Sequence, residues 1–385
     1  MKLRNITAAA AAAAIGISAG CAWSGESSKQ ENNPGAMRDI STAELVEEMG
    51  VGINLGNTFE SCGGWIDNES VSNFEKAWGS PIITEDIIKG YADSGFGVLR
   101  VPVAWSNMMD LDTYEIDQRY IDRVKEVVGW ALDDGMCVVM NIHWDGGWWE
   151  GFPTAKDRCM KRYVTIWEQL CENFGEFGDK LMFESLNEEG GWESLWNRYS
   201  DGETDGKRQS FELLNEINQT FVDTVRGSGG NNGKRHLLIA GYNTDIDLTC
   251  DPLFEMPDDP AGRCAVSVHY YTPTNFCLIA EDADWGKAKN AWGSPRDYTE
   301  LENYMDKVKE TFVDKGVPVI IGEFGAVATA NKSDELVRTY NVAVVKAARE
   351  RGMCPVLWDI TGVFYDRSTC QFKDQEMLRQ FMEVK

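Results

Sequence analysis

The chain has 385 residues, 43% of them hydrophobic and 26% charged, which suits one large barrel or two ordinary domains and is too apolar for a disordered chain. Its 37 basic residues stand against 62 acidic ones, a formal net charge of −25, so phosphate backbones and anionic membrane surfaces are repelled and nucleic acid is excluded as a partner. With three histidines in the chain, a histidine-rich metal centre is excluded as well.

At the N-terminus, Lys2 and Arg4 precede an apolar stretch from Ile6 to Ala19 that ends in Ala19-Gly20-Cys21. A short basic region, an apolar run too short to span a bilayer and a small-residue end are the pattern of a secretory signal, expected over residues 1–20. Cys21 after small residues resembles a bacterial lipoprotein cleavage site, although Ser18 stands where a Leu-like residue is usual. Lipid anchoring at Cys21 and simple secretion are both open, and either places the mature chain outside the cytoplasm. Residues 21–40 are polar and contain Gly, Ser and Pro, so they read as a linker before a single domain over 41–385. Ten cysteines in an exported chain permit disulfides, and setting Cys21 aside leaves 10 − 1 = 9. Cys250 and Cys264 flank a loop and are a candidate pair, whereas Cys137 and Cys354 lie in apolar runs and read as inert core.

From residue 51 onward, short apolar runs alternate with amphipathic stretches. The runs are 51–57, 96–105, 137–144, 180–188, 236–242, 264–272, 318–325 and 354–360, eight in all. They are nearly continuous rather than alternating, as strands buried on both faces must be, which predicts parallel pairing. Between them, apolar residues recur at helical spacing, for example Ile121, Val124, Val128, Ala131 and Leu132, or Leu336, Val337, Tyr340, Val344 and Ala347. Several helices end in DSG, DDG, DKG or ERG, where Gly accepts the left-handed conformation that closes a helix. Loops after strands are long and loops before them short. The expected fold is therefore an α/β (β/α)8 TIM barrel with its site on the face where the strands end. An open doubly wound sheet is disfavoured, because GNTFESCGGW after the first run lacks the spacing of a phosphate loop.

The strand ends bring Arg100, His143, Asn187, Glu188, His269, Tyr271, Glu323 and Trp358 to one rim. Polar groups in greasy strands are costly unless they serve one another. Two carboxyls facing each other suit hydrolysis of a glycosidic bond: one holds a proton for the leaving oxygen and the other stays ionised. Arg100 is placed to hold Glu323 ionised and Tyr271 to donate a hydrogen bond to it. Trp358 offers a flat face for a sugar ring, and Asn187 a hydrogen bond to a ring hydroxyl. Trp65, Trp144, Trp148, Trp149, Trp192 and Trp292 lie in or beside the long loops and are candidate stacking surfaces. A metal-dependent barrel would want an HxH pair on an early strand, a non-catalytic sugar binder would lose a glutamate, and a barrel aldolase would want a strand lysine; none of these fits.

The set GFGVLRVPVAW, VVMNIHW, LMFESLNE, SVHYYTP, VIIGEFG and VLWD resembles glycoside hydrolase family 5, and the opening GINLGNTFE with WGSPIITEDII is similar to its bacterial subfamily 4 endoglucanases. The resemblance implies a retaining mechanism without metal or cofactor, with Glu188 as acid/base, Glu323 as nucleophile, and Arg100, His143, Asn187, His269, Tyr271 and Trp358 around the substrate. It implies a β-glucan substrate and no protein partner; xyloglucan, mixed-linkage glucan and mannan stay open as alternatives. Two positions depart from the family: Trp144 stands where a second His is frequent, and Glu189 where Pro is frequent. Adjacent strand residues point opposite ways, and the family's order assigns the acid to Glu188, which leaves Glu189 as a loop or rim residue.

Overall fold

The computed structural model describes residues 35–198, 205–282, 286–327, 329 and 332–385. The expected signal over 1–20, Cys21 and most of the linker lie outside the described residues. The linker's last residues do not behave as a free tether: the Asp179 amide donates to the Ala36 carbonyl at 3.1 Å, and Arg38 pairs with the buried Asp179 carboxylate at 2.6 Å.

Eight parallel strands close into a barrel in sequence order: β1 Gly52–Asn54, β2 Val98–Val101, β3 Cys137–Asn141, β4 Leu181–Glu184, β5 Leu237–Ala240, β6 Cys264–Tyr270, β7 Val319–Phe324 and β8 Cys354–Leu357. Closure is made by β1 and β8, with Gly52 opposite Val356 and Ile53 opposite Leu357. All eight expected runs are strands, because residues buried on both faces leave no polar side for a helix to show water. The helix-ending glycines also behave as expected: Gly95, Gly135, Gly316 and Gly352 all have positive φ, which a Cβ would resist. The fifth unit departs from the regular repeat. After β5 the chain makes one helical turn, Ile246–Thr249, and returns to β6 by irregular backbone rather than by a full helix. Polar residues dominate 243–263, so no apolar stripe exists there to bury a longer one.

Alternation along the strands divides the barrel interior into two layers. Below, Val98, Val139, Met182, Leu238, Ala265, Ile320 and Val356 pack together. The helix Thr42–Met49, started by a capping box between Ser41 and Glu44, closes this end with Leu45, Val46 and Met49. Two residues further along four of these strands the inward positions turn polar: Arg100 above Val98, Asn141 above Val139, Glu184 above Met182 and Ser267 above Ala265. The apolar layer anchors the strands, at about 1.5–3 kcal/mol per fully buried large side chain, and so fixes the polar layer over it.

All nine cysteines among the described residues are unpaired, which corrects the expected Cys250–Cys264 bridge. Cys250 instead turns to the Lys307 carbonyl and Cys264 to Asp259. Cys137 and Cys354 are buried, and burial pushes each thiol up to about 12, so both are inert core as expected. No helix among the described residues is long and apolar enough to cross a membrane.

Candidate active site

Arg100 organises the upper layer. Its guanidinium donates to Glu184 Oε2 at 2.8 Å, to Asn54 Oδ1 at 3.0 Å, to Glu323 Oε1 at 2.8 Å and to Asn187 Oδ1 at 2.8 Å. Four acceptors around one planar fork leave it no freedom to rotate. Burial pulls its pKa down, but Glu184 and Glu323 more than offset that, so it stays charged. Ser267 donates to the other oxygen of Glu184 at 2.8 Å. Glu184 is thus held as a counterion on both oxygens.

Glu323 sits on β7 at a break in register. Val268 pairs with Ile321, but the next β6 residue, His269, pairs with Glu323, so Gly322 is an extra residue. Such a bulge re-aims the side chains beside it. Glycine suits the close approach there, since a Cβ would lie 3.0 Å from Ser267 Oγ and 3.1 Å from His269 Nε2 and would press on both. The bulge delivers Glu323 to Arg100, to the Tyr271 hydroxyl, which donates at 3.0 Å, and to within 3.7 Å of His269 Nδ1.

Glu188 reaches the same place from the opposite wall. The ladder of β4 stops at Glu184, and Ser185–Glu188 continues as irregular backbone over the mouth, so Glu188 stands past the strand end rather than on it. One of its oxygens lies 2.7 Å from His269 Nδ1. Single oxygens of Glu188 and Glu323 and one ring nitrogen of His269 all lie within 4.8 Å of one another. His143 and Trp358 complete the floor, their rings stacked at 5.7 Å and 4°. The Trp358 amide donates to the Phe324 carbonyl at 2.9 Å, one residue from Glu323. Every expected site residue is therefore in one constellation.

The electrostatics separate the two carboxyls. The side chain of Glu188 is 49% exposed toward the mouth, yet the protein crowding it from below outweighs Arg100 and pushes it up to about 7. Glu323 is also raised by burial, against the pull of the Arg100 guanidinium. Arg100 alone does not hold it low, which corrects the simpler expectation; its charge is shared with Glu184. Since Glu323 meets Arg100, Tyr271 and His269 while Glu188 meets only His269, Glu188 keeps its proton more readily. Burial pulls His269 down to about 4, so the ring is neutral and its contact with Glu188 is a hydrogen bond rather than an ion pair. A cleft of about 650 Å³ runs outward from Glu188, His269 and Tyr271 past Asn243, Thr244 and Leu278. A larger cavity of about 880 Å³, beside Asp110, Gln118 and Gln169, lies away from this cluster.

Asn54, Asn141, Glu184 and Ser267 were not singled out by the sequence, although period-two spacing from Arg100's layer marks each. Glu189 is the clearest correction: it is 1% exposed, not a rim residue, and its carboxyl accepts from the Asn187 amide. The candidate stacking residues also divide. Trp65 is 70% and Trp144 44% exposed, Trp148 is half-buried, and Trp149, Trp192 and Trp292 are buried beneath the loops.

A closed eight-stranded barrel with two opposed carboxyls, an arginine and an aromatic floor at its carboxyl-end mouth defines a glycoside hydrolase of the (β/α)8 class. Comparison with known proteins narrows the class: residues 59–363 match the family described as Cellulase (glycosyl hydrolase family 5), and the chain belongs to that family. It is 36% identical over 348 residues to Endoglucanase A of Ruminococcus albus, covering 87% of this chain and 90% of the relative. It is 33% identical to a xyloglucan-specific endo-β-1,4-glucanase of Bacteroides ovatus, covering 87% of this chain and 68% of that one. Among solved structures, a GH5-4 broad specificity endoglucanase from an uncultured bovine rumen ciliate superposes with a TM-score of 0.80 at 33% identity, covering 90% of this chain and 98% of the other.

Proposed function

We propose that this chain is a secreted endo-β-1,4-glucanase that hydrolyses internal bonds of cellulose or related β-glucans with retention of configuration. The observation that carries the mechanism is the approach of the Glu188 and Glu323 carboxylate oxygens to within 4.8 Å. Retaining glycosidases hold their carboxyls about 5–5.5 Å apart, and inverting ones need about 6.5–9.5 Å to admit water. In the proposed sequence Glu188 protonates the glycosidic oxygen while Glu323 attacks the anomeric carbon. The leaving sugar departs, and a covalent glycosyl-enzyme remains. Glu188 then takes a proton from water, which displaces Glu323 and frees the second product. Arg100 and Tyr271 stabilise Glu323 as the departing carboxylate, Asn187 bonds a ring hydroxyl, and Trp358 with His143 stacks the sugar.

The endoglucanase reading draws on the relatives named above. The Bacteroides relative makes xyloglucan the second substrate to test. Secretion draws on Lys2, Arg4, the apolar run Ile6–Ala19 and Cys21. The deciding experiment is a side-by-side assay on carboxymethyl-cellulose, mixed-linkage glucan, xyloglucan, xylan and mannan, with NMR of the first anomer released. Preference for a β-glucan and initial release of the β-anomer are expected; the α-anomer would reject retention, and preference for mannan or xylan would reject the glucanase reading.

A further inference from the structure

Glu188 has an unusual support problem. Among the described residues its carboxyl makes one hydrogen bond, to His269, whereas Glu323 and Glu184 are each gripped on both oxygens. The aim of its side chain must therefore come from its backbone. That backbone is held from two sides. From the β5 loop, the Asn243 amide donates to the Glu189 carbonyl at 2.9 Å, and Asn243 Nδ2 donates to the Glu188 carbonyl at 2.9 Å. The Gly191 amide donates to the Tyr242 hydroxyl at 2.9 Å. From within the turn itself, the buried Glu189 carboxyl reaches back to the Asn187 amide. Three bonds from one loop and one from the turn span residues 187–191.

The β5 loop is shaped for this. Asn243 and Thr244 both have positive φ, 51° and 47°, a conformation Asn tolerates better than most residues and Thr poorly. Such backbone persists only where its surroundings over-determine it. Tyr242 supplies that anchor, with its ring stacked on Phe211 at 4.2 Å and its hydroxyl on Ser210, both on the helix Lys207–Gly227. The fit is close: a Cβ at Gly190 would lie 3.0 Å from the Tyr242 ring, and one at Gly191 would lie 2.9 Å from Asn243 Oδ1. Asn187, at the other end of the turn, is fixed by Arg100. Only the Glu188 side chain is left to point into the cleft.

We infer that Asn243 and Glu189 are positioning residues for the proton-donating carboxyl: together they clamp the 187–191 turn so that the Glu188 side chain meets the leaving oxygen. This rests on Glu188 being the acid. It separates two chemical demands, because an activated aryl leaving group departs without a proton and a sugar does not. In the full-length enzyme, kcat/KM is compared on carboxymethyl-cellulose and on 2,4-dinitrophenyl β-cellobioside. Asn243→Ala is expected to lose about 10–100-fold on the polysaccharide through kcat, with KM unchanged, and to stay within about twofold on the aryl substrate. Glu189→Gln, whose amide oxygen still accepts from Asn187, is expected to lose less than Glu189→Leu. Asn243→Gly keeps the left-handed backbone while removing the amide, and serves if Asn243→Ala does not fold. Equal losses on both substrates, or no loss on either, overturn the clamp. Glu188→Gln is the reference: if it too treats both substrates alike, the reading of Glu188 fails and the clamp with it, whereas discrimination by Glu188→Gln but not by the Asn243 variants overturns the clamp alone.

Discussion

Two buried arginines stand at opposite ends of one barrel and are neutralised in opposite ways. Arg100, in the upper layer, has two carboxylates and two amide oxygens for partners. Arg235, just before β5 at the lower end, donates to no carboxylate. It donates to the carbonyls of Phe174, Phe177, Gly178 and Leu181 and to Asn232 Oδ1, at 2.8–3.2 Å. Burial pulls Arg235 down to about 10, while Glu184 and Glu323 hold Arg100 above its ordinary value. Side chain and depth are the same, so the difference lies in the counterion. Carbonyl dipoles make Arg235 a staple between the β3–β4 connection and β5. Carboxylates make Arg100 part of a site whose charges move during reaction. The lower end holds shape, and the upper end holds reactivity.

The sharpest way to break that division is to remove the upper carboxyls. Glu323→Gln is expected to lower kcat by at least about 10³-fold, and Glu188→Gln by about 10²–10⁴-fold on polysaccharide, with the thermal transition unchanged. Near-normal turnover in either variant would reject its role. The paired arginine variants come next. Arg100→Met leaves Glu184 and Glu323 buried without their cation, so both activity, by about 10²–10³-fold, and stability are expected to fall. Arg235→Met strands several buried carbonyls, at about 3–5 kcal/mol, and should lower the melting temperature by roughly 5–10 °C while leaving kcat/KM within about twofold below it. If Arg235→Met cost activity as heavily as Arg100→Met, the division between the two ends would be wrong.

The pH profile tests the upper end alone. The acid must be protonated, and Glu188 is pushed up to about 7, so kcat/KM is expected to fall as pH rises through neutrality. The nucleophile must be ionised, and burial raises Glu323 above its ordinary 4.5, so the acid limb is expected to begin on the high side of that value. A profile flat far into the alkaline range would sink the assignment of Glu188.

How far these ends could be read from the letters differs for the same reason that they differ physically. The eight strands were legible because continuous apolar runs have one stable home, the inside of a barrel. Glu188, Glu323 and Arg100 were legible as polar residues closing such runs. Glu184, Ser267 and Asn54 were not, because an inward polar residue inside a strand is marked only by its phase relative to neighbouring strands, and the register is set by pairing. Glu189 was misread because the rule of opposite-facing neighbours holds within a strand, and β4 ends at Glu184. The Cys250–Cys264 pairing failed because flanking a loop does not fix where two sulfurs point. Arg235 carried no signal: a cation coordinated by carbonyls leaves no partner residue to notice.

The smallest expected effect is at the rim of the upper end, where Trp144 and Trp192 separate binding from packing within one aromatic group. The Trp144 ring meets Trp149 edge-on at 5.7 Å, and a Cβ at Gly147 would lie 3.0 Å from it, so the loop leaves the ring a fixed seat. It nevertheless remains 44% exposed, one residue from the floor formed by His143 and Trp358. Trp192 donates from Nε1 to the Trp149 carbonyl and is 2% exposed. Trp192→Ala should therefore destabilise by about 3–5 kcal/mol. Trp144→Ala should barely move the thermal transition, yet raise KM on a long glucan by about 3–10-fold, the loss of one aromatic contact worth about 1 kcal/mol. An unchanged KM on polysaccharide would confine the sugar-stacking surface to Trp358 and His143 and make Trp144 part of the loop's packing.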